Sequence, residues 1–193
     1  MIEESQLKDR IVQKAVQSVK RNKKFDQVSL TAIAKELNVN FSEVTKYYES
    51  IEDIFLHQQK RNWKDTYKRL DKTIKSAKTV GDFKNVFDKF LQDFVENLSS
   101  DADLHWEVCS FLPNCSEFKE KNKKELTKRL KVVIRRGWPG KTLNVLERQT
   151  ALCVLSFYGF IDHVVHIPKD EREKILKDFR NMLNLHLQDR LFF

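Results

Sequence analysis

Phe41, Ser42, Thr45, Lys46 and Tyr47 fall within one short stretch, FSEVTKYY. They do not form a bond-making set, since no nucleophile has a spaced base and no two carboxylates are paired. What they offer is two hydroxyls, a cation, a phenol and a bare phenyl ring. An ammonium can meet a phosphate or a guanine edge, hydroxyls can bond phosphates or base edges, and a phenyl ring can press on a thymine methyl. Thr31 and Lys35, upstream, add another hydroxyl and a second cation within reach of a sugar-phosphate backbone. Taken singly, each residue fits the solvated side of a short helix better. Taken together, in this order, they point to recognition of DNA.

The neighbouring residues supply the elements that such a set needs. Ser29 can cap a helix whose apolar positions Leu30, Ile33, Ala34 and Leu37 share one face. Asn38 follows where the chain must reverse, and Asn enters the left-handed region at modest cost. Asn40 with Glu43 has the spacing of a capping box, which predicts a second helix over Phe41–Tyr48. Ala34 leaves room for the two helices to cross closely, with Val39 and Val44 over the join. This is a helix-turn-helix. A supporting helix is expected over Gln6–Arg21, with Leu7, Ile11, Ala15 and Val19 inward and Phe25 and Val28 as plugs.

On these residues the segment resembles the DNA-binding domain of the TetR family of bacterial transcriptional regulators. Ser29 stands at that family's Thr, Ile33-Ala34 at its Ile-Ala, and Asn38-Val39-Asn40 at its Gly-Val-Ser turn. Glu43 to Tyr48 stand along its recognition helix, with Tyr47 at the usual His and Tyr48 at an inward Phe, and Ser50-Ile51-Glu52 follow. The chain departs from the pattern at Asn38 and Lys24, which replace glycines, at Thr45, which replaces Tyr, and at Ile51, which replaces a phosphate-gripping Lys. The resemblance implies a DNA-binding head over residues 1–48. A helical regulatory and dimerisation body would follow over 49–193, opening on a connecting helix over 49–78.

Composition agrees with an all-α chain of about nine helices. In 193 residues there are four Gly and three Pro, too few for a turn-rich β protein. The net charge is +8, and residues 1–78 hold 17 Lys or Arg against 11 Asp or Glu, while 79–193 hold 19 against 17. A basic N-terminal part suits an anionic polymer, because Lys and Arg release counterions condensed on phosphates. The charged N-terminus is unlike a signal peptide and the longest apolar run, Ala151–Ile161, is too short for a bilayer, so the expected location is the cytoplasm, away from membranes.

Beyond the head, Ser50 with Asp53 signals a fourth helix running to about Lys78. A cap at Thr79 and a break at Gly81 precede a stripe from Phe83 to Leu98. Further helices are expected over Asp101–Leu112, Ser116–Arg136, Thr142–His166 and Pro168–Leu191. Trp63, Tyr67, Phe87, Phe90, Phe94, Trp106, Phe111 and Phe157 could line a cavity, with His105, Cys109 and Glu107 as polar points. Residue by residue they read as core; only the family resemblance, which implies a small hydrophobic or aromatic effector, raises them to a pocket. The same resemblance implies a homodimer through the last two helices, for which Leu152, Leu155, Tyr158, Ile161, Phe179, Met182 and Leu183 are the candidates. The rival is a central helix of a monomeric bundle.

No catalytic set is found, and no cofactor is called for. His57, His105, His163, His166 and His186 have no motif around them, although Asp162, His163 and His166 lie within about one turn. Glycines only at 81, 137, 140 and 159 exclude a phosphate-binding loop. Cys109, Cys115 and Cys153 make neither a CxxC pair nor a zinc spacing. The expectation is therefore a dimeric regulator, most simply a repressor, binding a double-stranded operator and released by an effector. Its rival is a sensor or scaffold of the same fold that acts through protein partners.

Overall fold

With so few helix breakers the helices run long, and a computed structural model of the chain describes residues 4–22, 28–97, 115–164 and 166–188. Among these described residues there are eight helices and no strand. They are α1 (Glu4–Asn22), α2 (Leu30–Leu37), α3 (Phe41–Thr45), α4 (Ile51–Ser76), α5 (Val80–Asn97), α6 (Cys115–Gly137), α7 (Leu143–Val164) and α8 (Lys169–Leu187). The helix expected over Asp101–Leu112 and the plug Phe25 lie outside the described residues. Contacts divide the rest into two compact units, one running to Asn62 and the other from Trp63 through α5 and then α6 to α8.

In the first unit, Leu7, Ile11, Ala15 and Val19 of α1 are buried at their fourfold spacing, facing Ile33, Ala34 and Leu37 of α2 and Val44 of α3. Ile51, Ile54 and Phe55 from the first turns of α4 complete this core, so the unit extends past residue 48. Ile51 is 7 % exposed and is a plug of this core. Val28 closes the core from the loop before α2. Each fully buried Ile or Phe here contributes about 1.5–3 kcal/mol of transfer free energy. On the outside, Glu36 accepts from Arg21 at 2.7 Å with Lys14 at 3.4 Å, and Arg21 holds its carboxyl below the usual range.

The second unit is built on aromatic and aliphatic side chains of α4, α5, α6, α7 and α8. Thr79 caps α5 by accepting the Asp82 N–H at 3.1 Å, and the Asp82 carboxylate accepts the Lys78 and Thr79 N–H groups at 2.9 and 2.8 Å. Gly81 therefore lies inside the first turn of α5 and does not break it. After α6 the chain reverses through Trp138-Pro139-Gly140, and Gly140 takes φ +90°, where a side chain would be strained. Gln149 of α7 donates to the His186 carbonyl of α8 at 3.0 Å, and Phe160 stacks on Phe179 with centroids 4.2 Å apart. Cys153 is buried in this core, and burial pushes its thiol up to about 12.

Candidate functional site

The geometry around α2 and α3 follows from four local signals in the sequence. The Ser29 hydroxyl accepts the Ala32 N–H at 3.1 Å, satisfying an amide that the first turn leaves free. At the far end Asn38 takes φ 54°, ψ 47°, and its N–H reaches the Lys35 carbonyl while that of Val39 reaches Ala34. This left-handed residue reverses the chain and closes the carbonyl end of α2. Three residues on, the Glu43 carboxylate accepts the Asn40 N–H at 2.9 Å and so fixes the start of α3. Val44 at 0 % exposure pins α3 to the core.

The helix is shorter than its sequence suggests. It ends at Thr45, and the chain tightens as the Tyr47 N–H takes the Val44 carbonyl, one residue nearer than an α-helical bond. Lys46 and Tyr47 therefore stand in a turn, and Tyr48 packs inward at 4 % exposure with His57 edge-on to its ring.

Pinning Val44 and Tyr48 inward turns the opposite side outward. Thr31, Lys35, Phe41, Ser42 and Lys46 are exposed, and Thr45 and Tyr47 are half-buried. Phe41 is 51 % exposed, a single apolar ring on the surface. The Thr45 hydroxyl donates to the Phe41 carbonyl at 3.2 Å, so toward a ligand it is an acceptor. Two ammonium groups lie close to the Tyr47 ring: that of Lys46 5.3 Å and that of Lys8 of α1 4.7 Å from its centroid. Lys8 was not among the residues picked from the sequence. Nothing in its heptad neighbourhood signals that α1 delivers it there; only the packing of α1 does.

The remaining candidates lie in the second unit. Trp63, Tyr67, Phe87, Phe90 and Phe157 are buried and Phe94 is half-buried. Trp63, Phe90, Phe94 and Phe157 form a chain of ring contacts with centroids 4.9–6.3 Å apart, extended by Tyr67 and by Tyr158. The Tyr67 hydroxyl donates to the Asn122 carbonyl at 3.0 Å, and burial raises its pKa. The cleft beside Phe90 and Phe94, bounded by Thr66, Arg69 and Asp93, leaves about 10 Å³, space for about one water. His105, Trp106, Cys109 and Phe111 lie outside the described residues.

Of the residues expected at a dimer face, Leu152, Leu155 and Met182 are exposed at 38, 59 and 41 %. Tyr158, Ile161, Phe179 and Leu183 are instead buried within their own chain. Leu185 is also exposed, at 42 %, and was not anticipated. Among the described residues no three His, Cys, Asp or Glu side chains are placed to hold a metal ion, and no helix is long and apolar enough to cross a membrane.

Compared with known proteins, the chain matches no family model and no curated sequence significantly.

Proposed function

We propose that α2, its turn and α3 are a helix-turn-helix that enters the major groove of DNA, and that the chain is a transcriptional regulator resembling the TetR family. The observation that carries this reading is the arrangement around Asn38. A left-handed reversal joins two short helices over one core, and the second helix and the turn after it turn Phe41, Ser42, Lys46 and Tyr47 away from that core. Lys46 and Lys8 would meet phosphates, Ser42 and Thr45 phosphates or base edges, and Phe41 a thymine methyl.

In the same proposal two copies pair through the outer faces of α7 and α8, where Leu152, Leu155, Met182 and Leu185 are exposed. The two heads would enter successive major grooves about 34–36 Å apart. A small hydrophobic effector would enter the second unit by parting the rings of Phe90, Phe94 and Phe157. It can release DNA only as far as it binds one head spacing better than another. Repression is the simplest outcome of an operator so occupied.

A second reading, a scaffold acting through protein partners, is favoured by the charge of the first unit. Residues 1–62 carry 11 Lys or Arg against 9 Asp or Glu, a small excess for a DNA-binding head. The two readings separate on Lys46→Ala. A DNA reader should lose roughly 5- to 50-fold in affinity for duplex from its own upstream region, by the cost of a lost charged contact. Unchanged affinity would favour the scaffold.

A further inference from the structure

Most of the chain's excess positive charge belongs to segments other than α2 and α3. The part of α4 from Trp63 to Ser76 and the whole of α6 carry 14 Lys or Arg against 5 Asp or Glu, an excess larger than the net +8 of the entire chain. Both segments belong to the second unit. Their contacts climb in the same direction on each helix. Tyr67 donates to the Asn122 carbonyl at 3.0 Å, and Arg129 grips both oxygens of Asp71 at 2.8 and 3.0 Å with its guanidinium 4.3 Å from the Tyr67 ring centroid. The two segments therefore point in the same N-to-C sense where these contacts fall.

That geometry decides where the lysines lie. Lys68 and Lys72 follow Tyr67 and Asp71 by one residue, while Lys121 and Lys128 precede Asn122 and Arg129 by one. One residue is a step of about 100° around a helix. For helices that point in the same sense, a forward step on one and a backward step on the other lead toward the same side of the pair. Lys64, Lys68, Lys72 and Lys75 make a row about 16 Å long at 1.5 Å per residue, with Lys121 and Lys124 beside it.

All six are exposed, and among the described residues none has a carboxylate within ion-pair distance. Of the five acids on the two segments, Asp71 is engaged by Arg129, Glu125 by Arg129 and Lys128, and Glu120 by Lys123, while Asp65 and Glu117 are exposed among the lysines.

We propose that this α4–α6 face binds the phosphate backbone of double-stranded nucleic acid without regard to sequence. A row of four lysines holding one acid, Asp65, is a net-cationic surface that fits a polyanion of regular charge spacing. Val132 is the sole large apolar residue exposed on the described parts of these two helices. The face therefore has no apolar wedge for a lipid surface and no ring on which unpaired bases could stack. The inference does not depend on how α3 is read.

The test is a salt titration of the full chain on a duplex of random sequence. It compares the natural protein, Lys46→Ala, and a variant with Gln at Lys64, Lys68, Lys72, Lys75, Lys121 and Lys124. Gln keeps helix propensity on an exposed face, and a thermal melt checks that the variant folds. If it does not, the four-residue α4 and two-residue α6 variants carry the same test.

The slope of log affinity on log salt should become shallower by about 2 or more in the six-residue variant, given about 0.9 per phosphate contact, with at least a tenfold loss at low salt. Lys46→Ala should change the slope by about 1 at most. An unchanged slope in the six-residue variant would overturn the proposal. So would tighter binding of the natural protein to phosphatidylserine-containing vesicles than to duplex, if that preference disappears in the variant.

Discussion

His57 shows how a single side chain reports on its surroundings. It sits against Tyr48, and burial first, then Lys8, Arg61 and Lys60, hold its pKa below 6.5, with Asp9 alone opposing. The folded chain therefore binds a proton at His57 less readily than the unfolded chain does. Between the two pKa values the unfolded state carries more protons, so stability rises with pH there. Stability from this residue is fully present above about pH 6.5 and is lost as the pH falls through the folded value. Urea denaturation at pH 7.5 and 5.5 should show the natural protein losing more stability on acidification than His57→Gln does. Parallel losses would show that the histidine is not held in this way.

Residues whose role is fixed within a few positions were legible in the sequence. Ser29, Asn40 with Glu43, Ser50 with Asp53, and Thr79 all bond within three or four residues, while Asp82, which answers Thr79, was not foreseen. Lys8 was not legible, because its place beside Tyr47 depends on how α1 packs. Ile51 was legible as a departure from the family pattern, but its role as a core plug emerges only with the three-dimensional contacts.

At the scale of elements, the turn between α2 and α3 rests on Asn38 in the left-handed region. Glycine adopts that conformation without penalty, whereas a β-branched residue there is strained. Asn38→Gly should leave stability nearly unchanged, and Asn38→Val should cost about 1–2 kcal/mol, read as a lower urea midpoint. A valine variant as stable as the natural chain would mean that this reversal is not what holds the two helices. Element boundaries were otherwise legible to within a few residues, since periodicity and caps act locally. The end of α3 was not, because sequence periodicity continues through Lys46 and Tyr47 while the backbone tightens after Thr45. The facing of α7 was not legible either. Apolar residues run nearly all the way round it, and only packing shows that Tyr158 and Ile161 turn inward while Leu152 and Leu155 turn out.

At the scale of the whole molecule, charge and apolar surface are arranged on different parts of the chain. A linear division at residue 78 assigned the lysines of α4 to the N-terminal part. The contacts instead divide α4 after Asn62, leaving residues 1–62 an excess of 2 and moving the bulk of the positive charge to the second unit. Sequence-blind attraction to a duplex and sequence-specific reading would then rest on different residues, the first on lysines of α4 and α6 and the second on α3. Salt should weaken the first steeply, while the second should persist as a ratio between sequences.

The most direct measurement is a titration of the full-length protein against duplex from its own upstream region and a shuffled duplex of equal length and composition, each at two salt concentrations. The helix-turn-helix reading predicts tighter binding to the native duplex, with the native-to-shuffled ratio kept as salt rises while both affinities fall. Equal affinity for the two at both salt concentrations would contradict it.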